Sequence, residues 1–223
     1  MSKIDLNNIS HSYNPNDPNP VYALNPFSMT WENGKRYAIL GPSGCGKTTM
    51  LNIVSGLVRP SAGNILFDDK DVTDLKTESR NIAQVFQFPV IYNTMTVYEN
   101  LAFPLKCREF SKDKIDERVK SVADTLNLES FLNSPARKLT ADQKQLISLG
   151  RGLVREDVAA VLMDEPLTVI DPDLKFRLRR KLKEINEEFK TTLVYVTHDQ
   201  NEAMTFADNI IVMSEGEVVQ AGT

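Results

Sequence analysis

Apolar residues recur in two rhythms along the chain. Short runs at 35–40 (KRYAIL), 81–87 (NIAQVFQ), 159–163 (AAVLM) and 192–197 (TLVYVT) have the length and make-up of strands. Between them the apolar positions take helical spacing. Met50, Leu51, Ile53, Val54 and Leu57 form one such set, and Leu174, Leu178, Leu182, Ile185 and Phe189 line one face of a helix expected at 172–189. Strands separated by helices predict an α/β domain with a mostly parallel sheet.

Two stretches depart from that alternation. Residues 1–35 carry strand-like runs broken at 14–20 by NPNDPNP, which is too rich in turn formers for regular structure. With 60–80 they are expected to form an antiparallel β part. Residues 97–156 are mostly helical and long for a single crossover, which predicts a helical subdomain, the remainder being the core.

Composition narrows the class. A chain of 223 residues can bury a full core. With 26 basic against 30 acidic residues it lacks the basic field that holds nucleic acid by its phosphates. The longest apolar run, 158–163, is far short of the roughly 20 residues a membrane-spanning helix needs. The start, MSKIDLNNIS, has no secretory-signal pattern. Its two cysteines, Cys45 and Cys107, are not expected to pair, and Cys107 reads as a buried apolar residue. The Lys/Arg run in 172–189 reads as a solvated helix face.

The chemistry concentrates after the first core strand. Gly41, Pro42, Ser43, Gly44, Cys45, Gly46, Lys47, Thr48 and Thr49 match the phosphate-binding pattern G-x-x-x-x-G-K-[ST] at every fixed position. Glycines let successive backbone N–H groups point inward as an anion nest, and the following helix aims its positive end at the same place. Lys47 adds a charge for the β- and γ-phosphates, and the Thr48 hydroxyl is a magnesium ligand. Strand, glycine loop and helix stand in the required order.

Later strands end in polar residues suited to the same site. The run to Met163 ends in Asp164 and Glu165, where Asp164 suits a phosphate-bound Mg²⁺ through water and Glu165 an attacking water. Caps of the next element are the alternative for both. Thr197-His198-Asp199 brings an imidazole to the same sheet edge, for a γ-phosphate or as a structural cap. Asp199 with Glu202 reads as a helix N-cap. Gln87, at the end of its strand, can ligate a metal or hold water, with Gln84 a structural neighbour. Tyr13 suits stacking on a base or a place in the core.

These elements, in this order, resemble the nucleotide-binding subunits of ABC transporters over nearly the whole chain, 1–223 being one ABC ATPase domain with a P-loop NTPase core. The resemblance implies ATP and Mg²⁺ as ligands, Tyr13 on adenine, Gln87 on magnesium, Glu165 as general base and His198 on the γ-phosphate. Thr168-Val169-Ile170-Asp171 looks like the family's D-loop with its aspartate retained. GPSGCGKTT, VYENLAFPLK and VTHDQNEA look closest to carbohydrate importers of the maltose and glycerol-3-phosphate type. LTADQKQLISLGRGLV with DEPLTVID is similar to one ATPase subunit of bacterial glycerol importers, which work with a second, different one.

The implied role is therefore an ATPase at the cytoplasmic face of a bacterial inner membrane, energising uptake of a small polyol or sugar, glycerol first. Its implied partners are integral-membrane permease subunits, a second ATPase subunit in a hetero- or homodimer, and indirectly a solute-binding protein. Family members of this type continue past G-T-P into a regulatory β domain, expected to be absent from a chain that stops at Ala221-Gly222-Thr223. A nucleotide-gated subunit with negligible hydrolysis and a soluble ABC ATPase are the rival readings.

One segment departs from the family. Its LSGGQ signature, which contacts the other subunit's γ-phosphate, here reads Leu139-Thr140-Ala141-Asp142-Gln143. A carboxylate about 4 Å from a phosphate charge would cost about 4 kcal/mol at an effective dielectric of 20. The same residues also read as a T-x-x-Q capping box with Asp142 at the helix's positive end. The first reading predicts a weak signature beside a competent P-loop, with one strong and one weak site per dimer.

Overall fold

Runs with no polar face need cover on both sides, and the fold supplies it. The computed structural model describes residues 2–168 and 170–223, and the side chains of Glu188 and Phe189 are outside the description. The chain opens with strands β1 (Ile4–Ser12) and β2 (Tyr22–Trp31), then β3 (Arg36–Leu40) and helix α1 (Lys47–Ser55). β4 (Ala62–Phe67), β5 (Lys70–Asp71) and β6 (Ile82–Val85) follow. Helices α2 (Val97–Lys106), α3 (Lys112–Thr125) and α4 (Ala141–Leu153) lead into β7 (Ala160–Asp164) and α5 (Pro172–Phe189). β8 (Leu193–Thr197), α6 (Gln200–Phe206), β9 (Asn209–Ser214) and β10 (Glu217–Gly222) complete it.

Two sheets result. The first is antiparallel, ordered β2-β1-β4-β5; the second is ordered β10-β9-β3-β8-β7-β6 and is parallel except for β10 against β9. The α/β fold with a mostly parallel sheet is thus as expected. Side chains alternate across the larger sheet with period two. Val161, Met163, Leu193 and Tyr195 join the core shared with α2 to α6, whereas Ala160, Leu162, Val194 and Val196 join the core shared with α1 and the antiparallel sheet.

Local chemistry sets the helix ends. Thr96 and Glu99 form a capping box on α2, and Asp171 caps α5 ahead of Pro172. Gly56 ends α1 in a left-handed conformation, its N–H reaching the Asn52 and Ile53 carbonyls. Leu57, which fits the helical spacing, therefore lies outside the helix and is half exposed.

Other expectations are corrected. Cys107 is exposed, because it is the residue at which α2 ends and the chain turns into solvent; both cysteines are free. The basic run of α5 is only partly a solvated face. Arg180 and Lys181 are outward beside Glu184, but Lys175 and Arg179 turn inward to Glu202 on α6. The Phe189 side chain expected on the apolar face of α5 lies outside the described residues. β9 and β10 were not foreseen. Their signal was an apolar run, Ile210 to Met213, before the Glu215-Gly216 turn, where both residues have positive φ.

Arg80 joins the two halves of the second core. Its guanidinium is almost fully buried and donates to the Ile53 and Val54 carbonyls at 2.7 and 3.1 Å, and to those of Thr73 and Leu75 at 2.7 and 3.1 Å. It thus satisfies the C-terminal carbonyls of α1, where a positive charge is favoured. Replacing Arg80 by Met removes four hydrogen bonds at once, the Ile53 carbonyl alone keeping the Gly56 N–H, and Arg80→Met is expected to cost about 3 kcal/mol, read as a lowered urea midpoint at unchanged slope.

Candidate functional site

Strand register assembles the site. Leu40 of β3 pairs with Thr197 of β8, and Val196 of β8 pairs with Asp164 of β7. The next residues, Gly41, His198 and Glu165, therefore leave one edge of the sheet side by side, where α/β folds bind ligands. A cleft of about 690 Å³ opens there, a size that suits a nucleotide-sized ligand.

Its floor is the glycine loop. Gly46 caps α1 at φ 102°, and a side chain there would strike the Ala23 carbonyl of β2. Lys47 is buried, its Nζ donating to the Gly41 and Pro42 carbonyls at 2.8 Å each, with the Cys45 thiol 3.9 Å away. Among the described residues no carboxylate is ion-paired with Lys47. A buried ammonium held by neutral acceptors at the start of α1 fits an anion. Ser43, Gly44, Gly46, Lys47, Thr48 and Thr49 line the cleft; Gly41, Pro42 and Cys45 are not among its lining residues.

The walls carry the ionisable groups. Thr48 Oγ1 donates to Asp164 Oδ2 at 2.8 Å. Burial pushes the Asp164 carboxyl above its ordinary range, against the Thr48 hydrogen bond and the Lys47 charge, which lower it. These two hard oxygen donors fit a magnesium ion whose other ligands come from phosphate and water. No group of three or more His, Cys, Asp or Glu residues that could hold a metal alone occurs among the described residues.

Glu165 adopts the left-handed region at φ 44°, its N–H bonded to the Val196 carbonyl at 3.1 Å. That turn aims its carboxylate at His198, whose Nδ1 is 3.3 Å from Glu165 Oε2. Thr168 Oγ1 donates to the Glu165 carbonyl at 3.0 Å and lies 3.4 Å from Oε2. Val169 of the same segment lies outside the described residues.

Tyr13 and Gln87 complete the rim. Tyr13 is 60% exposed, so the core reading fails. Its hydroxyl shares a 3.1 Å hydrogen bond with Thr49 Oγ1, and its ring meets the His11 ring edge-on at 4.6 Å. Gln87 does not end its strand. β6 stops at Val85, and Gln87 lines the cleft from the following bend, while Gln84 bonds Asn52 of α1 at 3.0 Å.

The remaining predicted residues lie elsewhere. Thr140, Ala141, Asp142 and Gln143 do not line this cleft. Thr140 and Gln143 make the capping box of α4, and the Thr140 hydroxyl also donates to Asp142. Asp199 caps α6, but Glu202 turns inward instead of completing a capping box.

Sequence reasoning missed three contributors. Ala23 and Thr168 line the cleft without being assigned to it. Gln145, fully buried on α4, donates its amide to the Phe86 carbonyl at 3.1 Å and the Pro166 carbonyl at 2.8 Å, next to Gln87 and Glu165. Its only signal was an amide beside the apolar positions of α4.

The ABC transporter family model matches residues 24–168. The chain is 44% identical over 209 residues to the trehalose/maltose import ATP-binding protein MalK of Thermococcus litoralis, covering 91% of this chain and 56% of that protein. It is 42% identical to the sn-glycerol-3-phosphate import ATP-binding protein UgpC of Cupriavidus metallidurans, over 100% of this chain and 59% of that one. The chain thus spans less than two thirds of the length of these relatives. Among solved structures it resembles the dimeric ATP-binding cassette MJ0796 in a post-hydrolysis state bound to ADP and Pi, with a TM-score of 0.88, 30% identity and coverage of 99% and 98%.

Because burial raises the Asp164 carboxyl, stability from this group is greatest below the ordinary carboxylate pKa and falls as pH rises through the raised value. Asp164→Asn is expected to raise the ligand-free unfolding midpoint at pH 7, a gain that disappears near pH 3. The same variant loses the added stabilisation by ATP with Mg²⁺, and thermal melts with and without the nucleotide check both effects.

Proposed function

The chain belongs to the ABC transporter family, and we propose from that premise that it is the ATP-hydrolysing subunit of an importer for a small polyol or sugar. The observation that carries this is the convergence of Lys47, the Thr48–Asp164 pair and the Glu165–His198 pair on one cleft. The import proteins for trehalose/maltose and sn-glycerol-3-phosphate among its relatives support the solute class. Glycerol is our first choice within it.

In this reading Tyr13 offers its exposed ring to the adenine, and the loop N–H groups with Lys47 hold the phosphates. Thr48, Asp164 and Gln87 would hold Mg²⁺, which would neutralise charge developing on the phosphates. Glu165 orients and deprotonates a water for in-line attack, and His198 steadies the transferring group while remaining within reach of Glu165. Burial of Lys47 and Asp164 keeps their charges weakly screened, which strengthens both effects.

The partners we propose are membrane permease subunits and a second ATPase subunit, with a solute-binding protein reached through the permease, at the cytoplasmic face of a bacterial inner membrane. Among the described residues no helix is long and apolar enough to cross a membrane, so attachment would be peripheral. We further propose that the Thr140 to Gln143 segment is a weak signature. Its capping box satisfies the N-terminus of α4 internally, and Asp142 adds a carboxylate to the first turn of that helix, which would repel a partner's phosphate that it faced. The partner subunit would then supply the intact signature for this chain's own P-loop.

Two measurements test the proposal. Pull-down of this chain from detergent-solubilised membranes is expected to bring permease subunits and a second, different ATPase; recovery of neither overturns the assignment. Glu165→Gln in this chain alone is expected to lower ATP turnover of the assembled pair at least about 100-fold with nucleotide binding retained. Turnover near the unmutated level would mean that this chain's site is not the strong one.

A further inference from the structure

His198 has an ordering problem. Its side chain is 62% exposed, and its one polar side-chain partner among the described residues is Glu165 at 3.3 Å. An imidazole with so little packed on it takes its position from its backbone. Something must therefore hold the residues on either side.

Glu202 does so from inside the protein. It is 8% exposed, and its two oxygens divide their partners by kind. Oε1 faces cations on α5, Arg179 at 3.3 Å and Lys175 at 3.7 Å. Oε2 accepts from hydroxyls on β8, Tyr195 at 3.0 Å and Thr197 at 2.8 Å. Thr197 Oγ1 in turn accepts from the Asp199 N–H at 3.0 Å, and Asp199 Oδ1 accepts from the Glu202 N–H at 3.3 Å. The hydrogen bonds close a circuit through Thr197, Asp199 and Glu202, the neighbours of His198 and the residue beneath them.

We propose that Glu202 is a positioning residue for His198, acting through Thr197 and Asp199. A void of about 40 Å³ is lined by Glu165, Thr168 and His198 together with Lys175, Thr197 and Glu202. Among the described residues no hydrogen bond or ion pair joins the Glu202 carboxylate directly to the His198 ring, so the coupling runs through the backbone circuit. Lys175 and Arg179 extend that circuit to α5, which starts directly after the 168–171 segment. The inference rests on the ATPase reading only for its effect on rate.

The chain contains two histidines, His11 and His198, which makes the test specific. With ¹⁵N-labelled histidine, Glu202→Gln is expected to shift and broaden the His198 ring signals and leave those of His11 in place. In the assembled transporter the same variant is expected to lower kcat about tenfold with KM for ATP changed less than twofold. Should Glu202→Gln fail to fold, Thr197→Val, which keeps the shape but removes the bridging hydroxyl, serves both measurements. Unchanged His198 signals, or equal changes at both histidines, would overturn the inference. An unmutated transporter that does not turn over ATP would defeat the ATPase reading, and the histidine spectra would still decide this one.

Discussion

The site depends on the parallel register of three neighbouring strands. β3, β8 and β7 are buried on both faces, so a slip by one residue would swap the side chains of two different cores. With strands about 4.8 Å apart, the residues leaving their ends must converge. Gly41, His198 and Glu165 are neighbours for that reason, though more than 150 positions separate the first from the last strand end.

Around that edge the backbone adopts conformations that ordinary packing avoids. Gly46 and Glu165 both take positive φ, and Glu165 has a side chain to accommodate. Such a residue costs of order 1–3 kcal/mol and persists where its surroundings over-determine it. Here the Val196 carbonyl holds the Glu165 N–H, Thr168 holds its carbonyl, and Gln145 takes hold of Pro166. Buried polar groups do the same work further out. Arg80 fixes the far end of α1, Gln145 links the Gln87 bend to the Glu165 turn, and Glu202 braces the segment that carries His198. Each has partners on more than one segment of the chain, so removing any one breaks several hydrogen bonds at once.

How much of this was legible depended on range. The glycine loop could be read because its nine residues are consecutive and their geometry is local. The Thr140 capping box and the Asp199 cap were legible for the same reason. Cys107 was misread because its burial was inferred from residue type, and the end of α2 happens to place it outward. Lys175 and Arg179 were misread because a basic run gives no sign of a buried carboxylate on another helix. Gln87 was placed on its strand because the apolar alternation continues past Val85, where pairing with β7 stops.

The order of residues by itself determined the phosphate-binding loop, the alternation of strands and helices, and which types of side chain were available for chemistry. Those follow from backbone preferences and periodicity over a few residues. Tertiary structure alone decided that Tyr13, Lys47, Gln87, Asp164, Glu165 and His198 line one cleft, and that Gln145 and Glu202 stand behind it. Their proximity comes from strand pairing and core burial between segments far apart in the chain, and no local pattern encodes a distance across a sheet.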